Sequence, residues 1–231
     1  MQTILITGAN RGIGLGHARA FAERSAKVYA TARAPAEAGD LRALAAAHPG
    51  SVELLDYDAA EPGAAAALKA ALAGAPLDLL FANAGIIGAG SQHLGAVEPD
   101  GMLETFRINA VAPLMLAEAL AANVAASQRK LMAFQSSLMG SLADNGSGGY
   151  YAYRCAKAAL NMVARGLAQD LRAEGVISVA LHPGWVRSSM GGPSAKLTID
   201  DCVAAQQRLL DQLQPSDSGK FFNYDGRELP W

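Results

Sequence analysis

The two residues best suited to proton transfer are a tyrosine and a lysine four positions apart, Tyr153 and Lys157. Side chains at this spacing lie on the same face of a helix. A tyrosine hydroxyl has a pKa near ~10 and is a poor acid–base group at neutral pH, but a neighbouring ammonium stabilises the phenolate and lowers that pKa. The pair would then suit general acid–base catalysis. Taken alone the spacing is commonplace, and a surface helix explains it equally well.

A glycine-rich segment follows the first apolar run and reads Thr7-Gly8-Ala9-Asn10-Arg11-Gly12-Ile13-Gly14. Glycines at such a point permit a tight strand-to-helix turn and let the backbone approach a pyrophosphate at the helix N-terminus. The spacing differs from the usual G-x-G-x-x-G fingerprint, so a turn without a ligand is the alternative. Its position after a first strand favours a dinucleotide site. The residues predicted to bind the dinucleotide are Gly8, Asn10, Arg11, Gly12, Ile13 and Gly14.

The end of the second apolar run indicates which dinucleotide is bound. NAD-binding proteins of this kind carry an acidic residue about 20 positions past the glycines, on the ribose hydroxyls. Here Ala32 is followed by Arg33, and Arg11 supplies a second cation. Two arginines without a carboxylate suit the 2′-phosphate of NADP, although a solvated loop is the alternative for Arg33. Asp56, with Tyr57 beside it, follows the third run and is placed to accept from the adenine amino group; a surface cap is its alternative.

Short apolar runs alternate with helical stretches along the whole chain. Strands that are near-continuously apolar are typical of a parallel sheet covered on both faces. Right-handed crossovers then predict a Rossmann-like, doubly wound α/β fold of about seven strands. The predicted strands are 3–7, 27–31, 52–55, 77–82, 130–136, 177–181 and 220–223. The predicted helices are 12–24, 36–47, 63–73, 101–126 and 150–173.

The chain is predicted to form a single domain over residues 1–231. It has no internal repeat, no low-complexity linker and no change of composition, and 51% of its residues are hydrophobic. This is enough for one large core. The segment Ser188–Lys196 is rich in glycine, serine and proline, which predicts a mobile loop. We expect it to form a substrate flap over about 188–197.

Composition excludes several classes of partner. The net charge is −2 and basic residues are scattered, which argues against nucleic acid and anionic membranes. Cys155 and Cys202 have no short spacing, so neither a metal site nor a disulfide is expected. The N-terminus lacks a cationic lead, and the stretch Ala110–Ala126 is interrupted by Pro113 and Glu118, which predicts no membrane span. These features predict a cytoplasmic protein.

Further motifs occur in order along the chain: Asn83-Ala84-Gly85, Asn109-Ala110-Val111, Ser136-Ser137, Tyr153 with Lys157, and Pro183-Gly184-Trp185-Val186. With the glycine turn they resemble the short-chain dehydrogenase/reductase family, in its classical length class. The resemblance covers essentially the whole chain. Within the family the sequence most resembles the small carbonyl-reductase branch related to C-factor and sniffer-type proteins. The segments His182–Val186 and Phe221–Gly226 carry this narrower resemblance.

The resemblance implies a catalytic role for four side chains. Tyr153 would protonate the carbonyl oxygen or deprotonate the alcohol, and Ser137 would hydrogen-bond the same oxygen. Lys157 would hold the nicotinamide ribose and, with the nicotinamide cation, lower the pKa of Tyr153. Asn109 would keep a helix turn open so that a water connects Lys157 to solvent. The remaining cofactor contacts that the resemblance implies are Asn83, Ala84, Gly85, Pro183, Gly184, Val186 and Ser188, besides Tyr153 and Lys157 themselves.

The sequence departs from the family pattern at three points. Ala82 precedes Asn83 where the family usually has a second asparagine, and Ser188 stands for the usual threonine. Tyr153 lies sixteen positions after Ser137, because a glycine-rich insertion lies at 145–149. This leaves Ser136, Ser137 and Ser141 as candidates for the catalytic serine, and the strand-end position favours Ser137.

The function that the resemblance implies is an oxidoreductase acting on a CH–OH group with NADP as acceptor, or reducing a small carbonyl compound with NADPH. One alternative is a regulatory or signalling protein of the C-factor type that binds the dinucleotide. Another is an acyl-carrier-protein ketoreductase, which would want a basic docking surface that the scattered cations do not form. In this family the helices predicted at 101–126 and 150–173 pair between subunits, so a homodimer or homotetramer is expected. The insertion before Tyr153 would cover that face in a monomer.

Overall fold

A computed structural model describes all residues, 1–231, and contains one seven-stranded parallel sheet of order β3-β2-β1-β4-β5-β6-β7. The strands are β1 (Thr3–Ile6), β2 (Lys27–Ala32), β3 (Val52–Asp56), β4 (Leu79–Ala82), β5 (Leu131–Gln135), β6 (Ile177–His182) and β7 (Phe221–Asn223). The helices are α1 (Gly12–Glu23), α2 (Gly39–Ala47), α3 (Ala64–Ala71), α4 (Pro99–Phe106), α5 (Ala112–Ala125), α6 (Tyr151–Asp170) and α7 (Ile199–Gln212). Strand order reverses between β1 and β4, and ligands bind at such a switch point.

The sheet is buried on both faces because alternate strand residues enter two separate cores. Ile4 and Ile6 of β1 pack on the face covered by α1, α2 and α7, whereas Leu5 faces α3, α5 and α6. In β5, Leu131 and Ala133 belong to the first core. This two-sided burial explains why the strands are near-continuously apolar.

The predicted fold is confirmed, and strand limits agree to within two residues, but α7 was not predicted from the sequence. Its buried face includes Gln206 and Gln207 beside Leu209 and Leu210. Because polar residues occupy part of the inward-facing stripe, the apolar periodicity that identifies a helix is weakened.

The predicted flap has hydrogen-bonded ends. Val186 and Leu197 form an isolated parallel bridge, and the main-chain N–H of Arg187 donates to the Leu197 carbonyl at 2.8 Å. The indole N–H of Trp185 donates to the Gly191 carbonyl at 2.8 Å. These bonds tie the base and the middle of the loop to the segment that leaves β6.

The helical run Pro99–Ala125 extends well before the apolar stretch Ala110–Ala126 that was predicted not to span a membrane. A π-helical turn at Arg107–Val111 joins α4 to α5, giving 27 residues that are apolar and long enough to cross a membrane by length and composition alone. Half of its most apolar window is buried inside the protein, where α5 packs on β4 and β5. A core helix of a doubly wound fold has the same character.

Candidate active site

A cavity of about 1200 Å³, part of it open to solvent, lies at the carboxyl ends of the central strands. Most of the predicted site residues line it. They are Gly8, Asn10, Arg11, Gly12, Ile13, Arg33, Tyr57, Asn83, Ala84, Gly85, Tyr153, Lys157, Pro183 and Ser188.

Six predicted residues lie near this cavity without lining it: Gly14, Asp56, Asn109, Ser137, Gly184 and Val186. Asp56 is exposed at the end of β3, and Asp58, two residues further, lines the cavity instead. The Asp58 carboxylate accepts from the N–H of Ala60 at 2.9 Å, which forms a tight turn there. The sequence contained no pattern that distinguished these two aspartates.

The glycine segment forms the strand-to-helix turn between β1 and α1. Gly8 and Gly12 have φ angles of +66° and +59°, which favour glycine. A Cβ atom at Gly14 would overlap the carbonyl oxygen of Gly8 and lie 2.6 Å from the Asn83 amide nitrogen. Gly14 therefore allows α1 to begin directly against the turn.

The side chains of Thr7 and Asn83 join this turn to the end of β4. The Thr7 hydroxyl accepts from the N–H groups of Asn83 and Ala84, both at 3.0 Å. The Asn83 amide donates to the carbonyls of Thr7 at 3.0 Å and Gly8 at 3.3 Å. The resemblance predicted Asn83 as a ribose contact, and its amide also fixes the glycine turn.

The first turn of α1 fits a phosphate group. No side chain caps the helix and no acidic residue lies in its first turn, so its N–H groups have no side-chain acceptor. Such groups bind anions. Arg11 and Arg33 line the cavity at this end, and neither takes part in an ion pair. The residues present therefore fit a dinucleotide that carries phosphates.

Tyr153 and Lys157 lie together at the other end of the cavity, on α6. Their exposed fractions are 6% and 4%, and the Lys157 Nζ lies 5.8 Å from the centre of the Tyr153 ring. The ammonium donates to the main-chain carbonyl of Gln135, at the end of β5, at 2.8 Å. The predicted helical spacing thus brings both groups to one wall of the cavity.

Burial controls the protonation of both groups. It raises the pKa of Tyr153 above its ordinary value, and a hydrogen-bonding interaction with Ser137 opposes this rise by stabilising the phenolate. Burial also lowers the pKa of Lys157 to about 8. The helical spacing predicted that Lys157 lowers the pKa of Tyr153, but in the protein alone desolvation dominates and the hydroxyl stays protonated at neutral pH.

The three candidate serines have different partners. The Ser136 hydroxyl donates to the Asn161 Oδ1 at 2.6 Å, and the Ser141 hydroxyl accepts from the Asp144 N–H at 3.1 Å. Ser137 accepts from the Met139 N–H at 3.2 Å and is the one that interacts with Tyr153. These contacts favour Ser137 as the serine that acts with Tyr153.

Gln92 is a residue that the sequence analysis did not identify. Its Oε1 accepts from the N–H of Tyr153 at 2.9 Å, and its Nε2 donates to the Ile87 carbonyl at 2.8 Å. Tyr150, the residue that precedes α6, provides no side-chain cap and has a φ of +49°. Gln92 caps this helix instead, from a distant loop. No local motif marks such a contact.

Other unpredicted lining residues are mostly apolar. Met190, on the flap, accepts a long hydrogen bond from the Tyr153 hydroxyl at 3.9 Å. Ile86 and Ile108 line the same cavity. The remaining unpredicted lining residues are Ala32, Asp58, Ala59, Gln135 and Ser189, and Ser136, one of the three candidate serines, lines the cavity as well.

Comparison with known proteins agrees with this geometry. The family model for short chain dehydrogenase matches residues 2–197. The C-signal protein of Myxococcus xanthus is 47% identical over 156 residues, covering 68% of this chain and 93% of its own. The carbonyl reductase Sniffer of D. melanogaster superposes with a TM-score of 0.92 at 35% identity, covering 100% of both chains. The NADPH-bound carbonyl reductase from chicken fatty liver gives 0.92 at 34% identity, covering 100% of this chain and 99% of that one. The chain is therefore an oxidoreductase of the short-chain dehydrogenase family, which binds nicotinamide dinucleotides.

Proposed function

We propose that the protein uses NADPH to reduce small aldehydes or ketones, or NADP to oxidise the matching alcohols. The observation that carries this proposal is the buried Tyr153 hydroxyl, kept protonated beside Ser137 and Lys157 on the wall of the cavity. Reduction of a carbonyl needs a proton donor at the oxygen, and a buried phenol is such a donor. The two similar carbonyl reductases support the same assignment.

The choice of NADP follows from the phosphate end of the cavity. Ala32 is buried and contributes no carboxylate, whereas Arg11 and Arg33 are exposed cations on the cavity wall. A guanidinium binds a phosphate through paired donors, and a carboxylate would repel it. The similar chicken carbonyl reductase has NADPH bound.

The residues at the reacting end of the cavity have separate roles in the proposed reaction. Bound NADPH supplies the hydride. Tyr153 donates a proton to the carbonyl oxygen as charge develops there, and Ser137 stabilises that charge by hydrogen bonding. Lys157 holds the ribose hydroxyls of the cofactor and, as a cation, stabilises the phenolate that remains. The flap over 188–197 brings Met190 onto the Tyr153 hydroxyl, so we assign this segment to substrate closure.

The decisive experiment is to screen the purified protein against aldehydes, ketones and quinones while following NADPH absorbance. Turnover of at least one compound, abolished in Tyr153→Phe, is the expected result. Absence of turnover with every carbonyl class, despite NADPH binding, would contradict the proposal.

A signalling role is the second candidate, favoured by 47% identity to a protein named C-signal. A protein that only binds the dinucleotide does not need acid–base groups, so its biological activity would survive Tyr153→Phe. An enzyme loses its activity in the same variant. Complementation of a deletion strain with Tyr153→Phe therefore separates the two functions.

We further propose a homodimer, with a homotetramer as the larger form. Large apolar side chains are exposed on the outer helices: Leu103 of α4, Val111 of the π turn, Met115 of α5 and Met162 of α6. Where such side chains form one contiguous patch, the patch is an association site. A light-scattering mass near the single-chain 23.8 kDa at micromolar concentration would contradict this assembly.

A further inference from the structure

A chain of buried amides and one imidazole runs from the molecular surface to the active site. Arg24 donates to the Gln207 Oε1 at 2.7 Å, and the Gln207 Nε2 lies 3.1 Å from the Nδ1 of His17. The His17 Nε2 lies 3.0 Å from the Oε1 of Gln206, whose Nε2 donates to the Gln135 Oε1 at 3.2 Å. His17, Gln206, Gln207 and Gln135 are all buried. We call these five residues the amide relay.

The direction of every hydrogen bond in the amide relay follows from Arg24. A guanidinium only donates, so the Gln207 oxygen faces Arg24 and its NH₂ group faces His17. Burial lowers the pKa of His17 to about 4, so the ring is neutral and carries one proton. Since its Nδ1 accepts from Gln207, that proton is on Nε2 and is donated to Gln206.

The same reasoning orients Gln135 at the inner end. The Gln206 oxygen is used by His17, so Gln206 presents its NH₂ group to the Gln135 oxygen. The Gln135 Nε2 is therefore turned away from the relay, and it is buried with no hydrogen-bond partner. An unpaired buried donor destabilises the protein until an acceptor reaches it. The amide relay thus fixes the orientation of the Gln135 side-chain NH₂ group, and the chain itself provides no acceptor for it.

Two observations identify where the acceptor would come from. Gln135 lines the cavity, and its main-chain carbonyl binds Lys157, so it belongs to the reacting end and not to the end with Arg11 and Arg33. In β5 its side chain has the same parity as Leu131 and Ala133, on the face of α1 and α7. Tyr153 approaches from α6, on the opposite face. The side chain of Gln135 therefore lies across the sheet from the catalytic hydroxyl.

We propose that Gln135 is a cofactor-binding residue that donates its amide N–H to an oxygen on the nicotinamide half of the bound dinucleotide, and that the amide relay holds it in this orientation. The inference rests on the proposed cofactor. The acceptor is a carboxamide or hydroxyl oxygen of that half. A substrate held by Tyr153 is on the other side of β5 and does not supply it.

The test measures binding by calorimetry, without turnover. In Gln135→Leu we expect the Kd of NADP and NADPH to rise about tenfold, as for the loss of one hydrogen bond to a buried group. Adenosine 2′,5′-bisphosphate lacks the nicotinamide half, and its Kd should stay unchanged. In Gln135→Glu the carboxylate still accepts from Gln206 but cannot donate, and the same selective loss is expected with the relay intact.

Two further variants examine the relay. Gln206→Leu removes the hydrogen bond that orients the side-chain amide of Gln135, so this amide can rotate. The variant should weaken NADP(H) binding several-fold. Gln212→Leu removes an exposed amide from the same helix outside the relay, and it should leave every Kd unchanged. Circular dichroism establishes that each variant is folded.

Three results would overturn the inference. Unchanged NADP(H) affinity in Gln135→Leu and Gln135→Glu would make the relay purely structural, and an unchanged cofactor Kd with a raised KM for the carbonyl compound would assign Gln135 to the substrate. Equal losses for NADP(H) and the bisphosphate would mean a general disturbance of the cavity. If the wild-type protein binds neither compound, the proposed function itself fails, which is distinct from these outcomes.

Discussion

Asn109 hydrogen-bonds both main-chain polar groups of Ile86. Its Nδ2 donates to the Ile86 carbonyl at 2.7 Å and its Oδ1 accepts from the Ile86 N–H at 2.9 Å. Asn109 lies in the π-helical turn between α4 and α5, and a Cβ at Gly85 would lie 3.0 Å from its oxygen and 3.5 Å from the Lys157 Nζ. One side chain therefore joins the irregular helix turn to the segment after β4, close to Lys157. A π turn inside a helix is frequently found at functional sites.

Replacing Asn109 by alanine should reduce both stability and turnover. The variant leaves the N–H and carbonyl of Ile86 without partners, which costs about 1–3 kcal/mol of the free energy of unfolding per unpaired group. Ile86 lines the cavity, so kcat should fall as well. Asn123→Ala is the matched control, because Asn123 is similarly buried and bonds the Ala75 carbonyl far from the cavity. A control that lost as much kcat as Asn109→Ala would refute the connection.

Replacing Tyr153 by phenylalanine should abolish turnover, by about 10²–10⁴-fold, because it removes the proton donor. NADPH affinity should stay within a few-fold, since little volume is lost. Lys157→Ala should reduce both turnover and affinity, because this side chain has both roles. Tyr151→Phe, a partly exposed neighbour on the same helix, serves as the control. Substantial activity in Tyr153→Phe would show that another group transfers the proton.

Changing Ser136 or Ser137 to alanine should affect different properties, stability for Ser136 and kcat for Ser137. Ser137→Ala should lower kcat by about 10²-fold at nearly unchanged stability, as for the loss of a donor to a developing oxyanion. Ser136→Ala should lower the free energy of unfolding by about 1–3 kcal/mol, because Asn161 loses its buried donor. Kinetics together with denaturant unfolding of both variants separates the roles, and the reverse pattern would identify Ser136 as the catalytic serine.

The double variant Ala32→Asp with Arg33→Ala should reverse cofactor preference from NADPH to NADH. Each charge-assisted contact contributes about 1.5–3 kcal/mol, so two arginines favour NADPH by about a hundredfold or more. The aspartate repels the 2′-phosphate and binds ribose hydroxyls instead. The measurement is kcat/KM for both cofactors with one saturating aldehyde, and Arg42→Ala on α2 is the control, since Arg42 lies outside the cavity. A wild-type ratio near one would mean that these arginines make no phosphate contact.

Stability should fall with acid between about pH 6.5 and 4 because of two histidines that the folded protein shields from water. Burial lowers the pKa of His17 and of His182 from 6.5 to about 4. Below 6.5 the unfolded chain binds protons that the folded protein does not, so the free energy of unfolding decreases as the pH falls and levels off below the folded pKa. For His17 the full loss is about 3 kcal/mol. Chemical denaturation across this range should show a shallower decline in His17→Gln, with the part due to His182 remaining.

The sequence by itself determined the fold class and the order in which the site motifs occur along the chain. Strand runs such as those of β1 and β5 are almost continuously apolar because both faces of a parallel sheet are covered, and that pattern is visible without a structure. Tyr153 and Lys157 share a helix, so their proximity follows from helical geometry alone. The glycine turn is likewise local, since Gly8, Gly12 and Gly14 act within one strand-to-helix connection.

Tertiary structure decided what depends on distant parts of the chain. Gln92 caps α6 from sixty-one residues away, and His17 meets Gln206 across 189 residues, so neither contact leaves a local pattern. The protonation of Tyr153 is set by burial and not by its neighbour in the helix, because desolvation depends on everything packed around the hydroxyl. Position along the sequence likewise could not show that Asp58 lines the cavity while Asp56 is exposed. Side-chain chemistry and spacing are written in the sequence, whereas burial and long-range pairing exist only once the chain has folded.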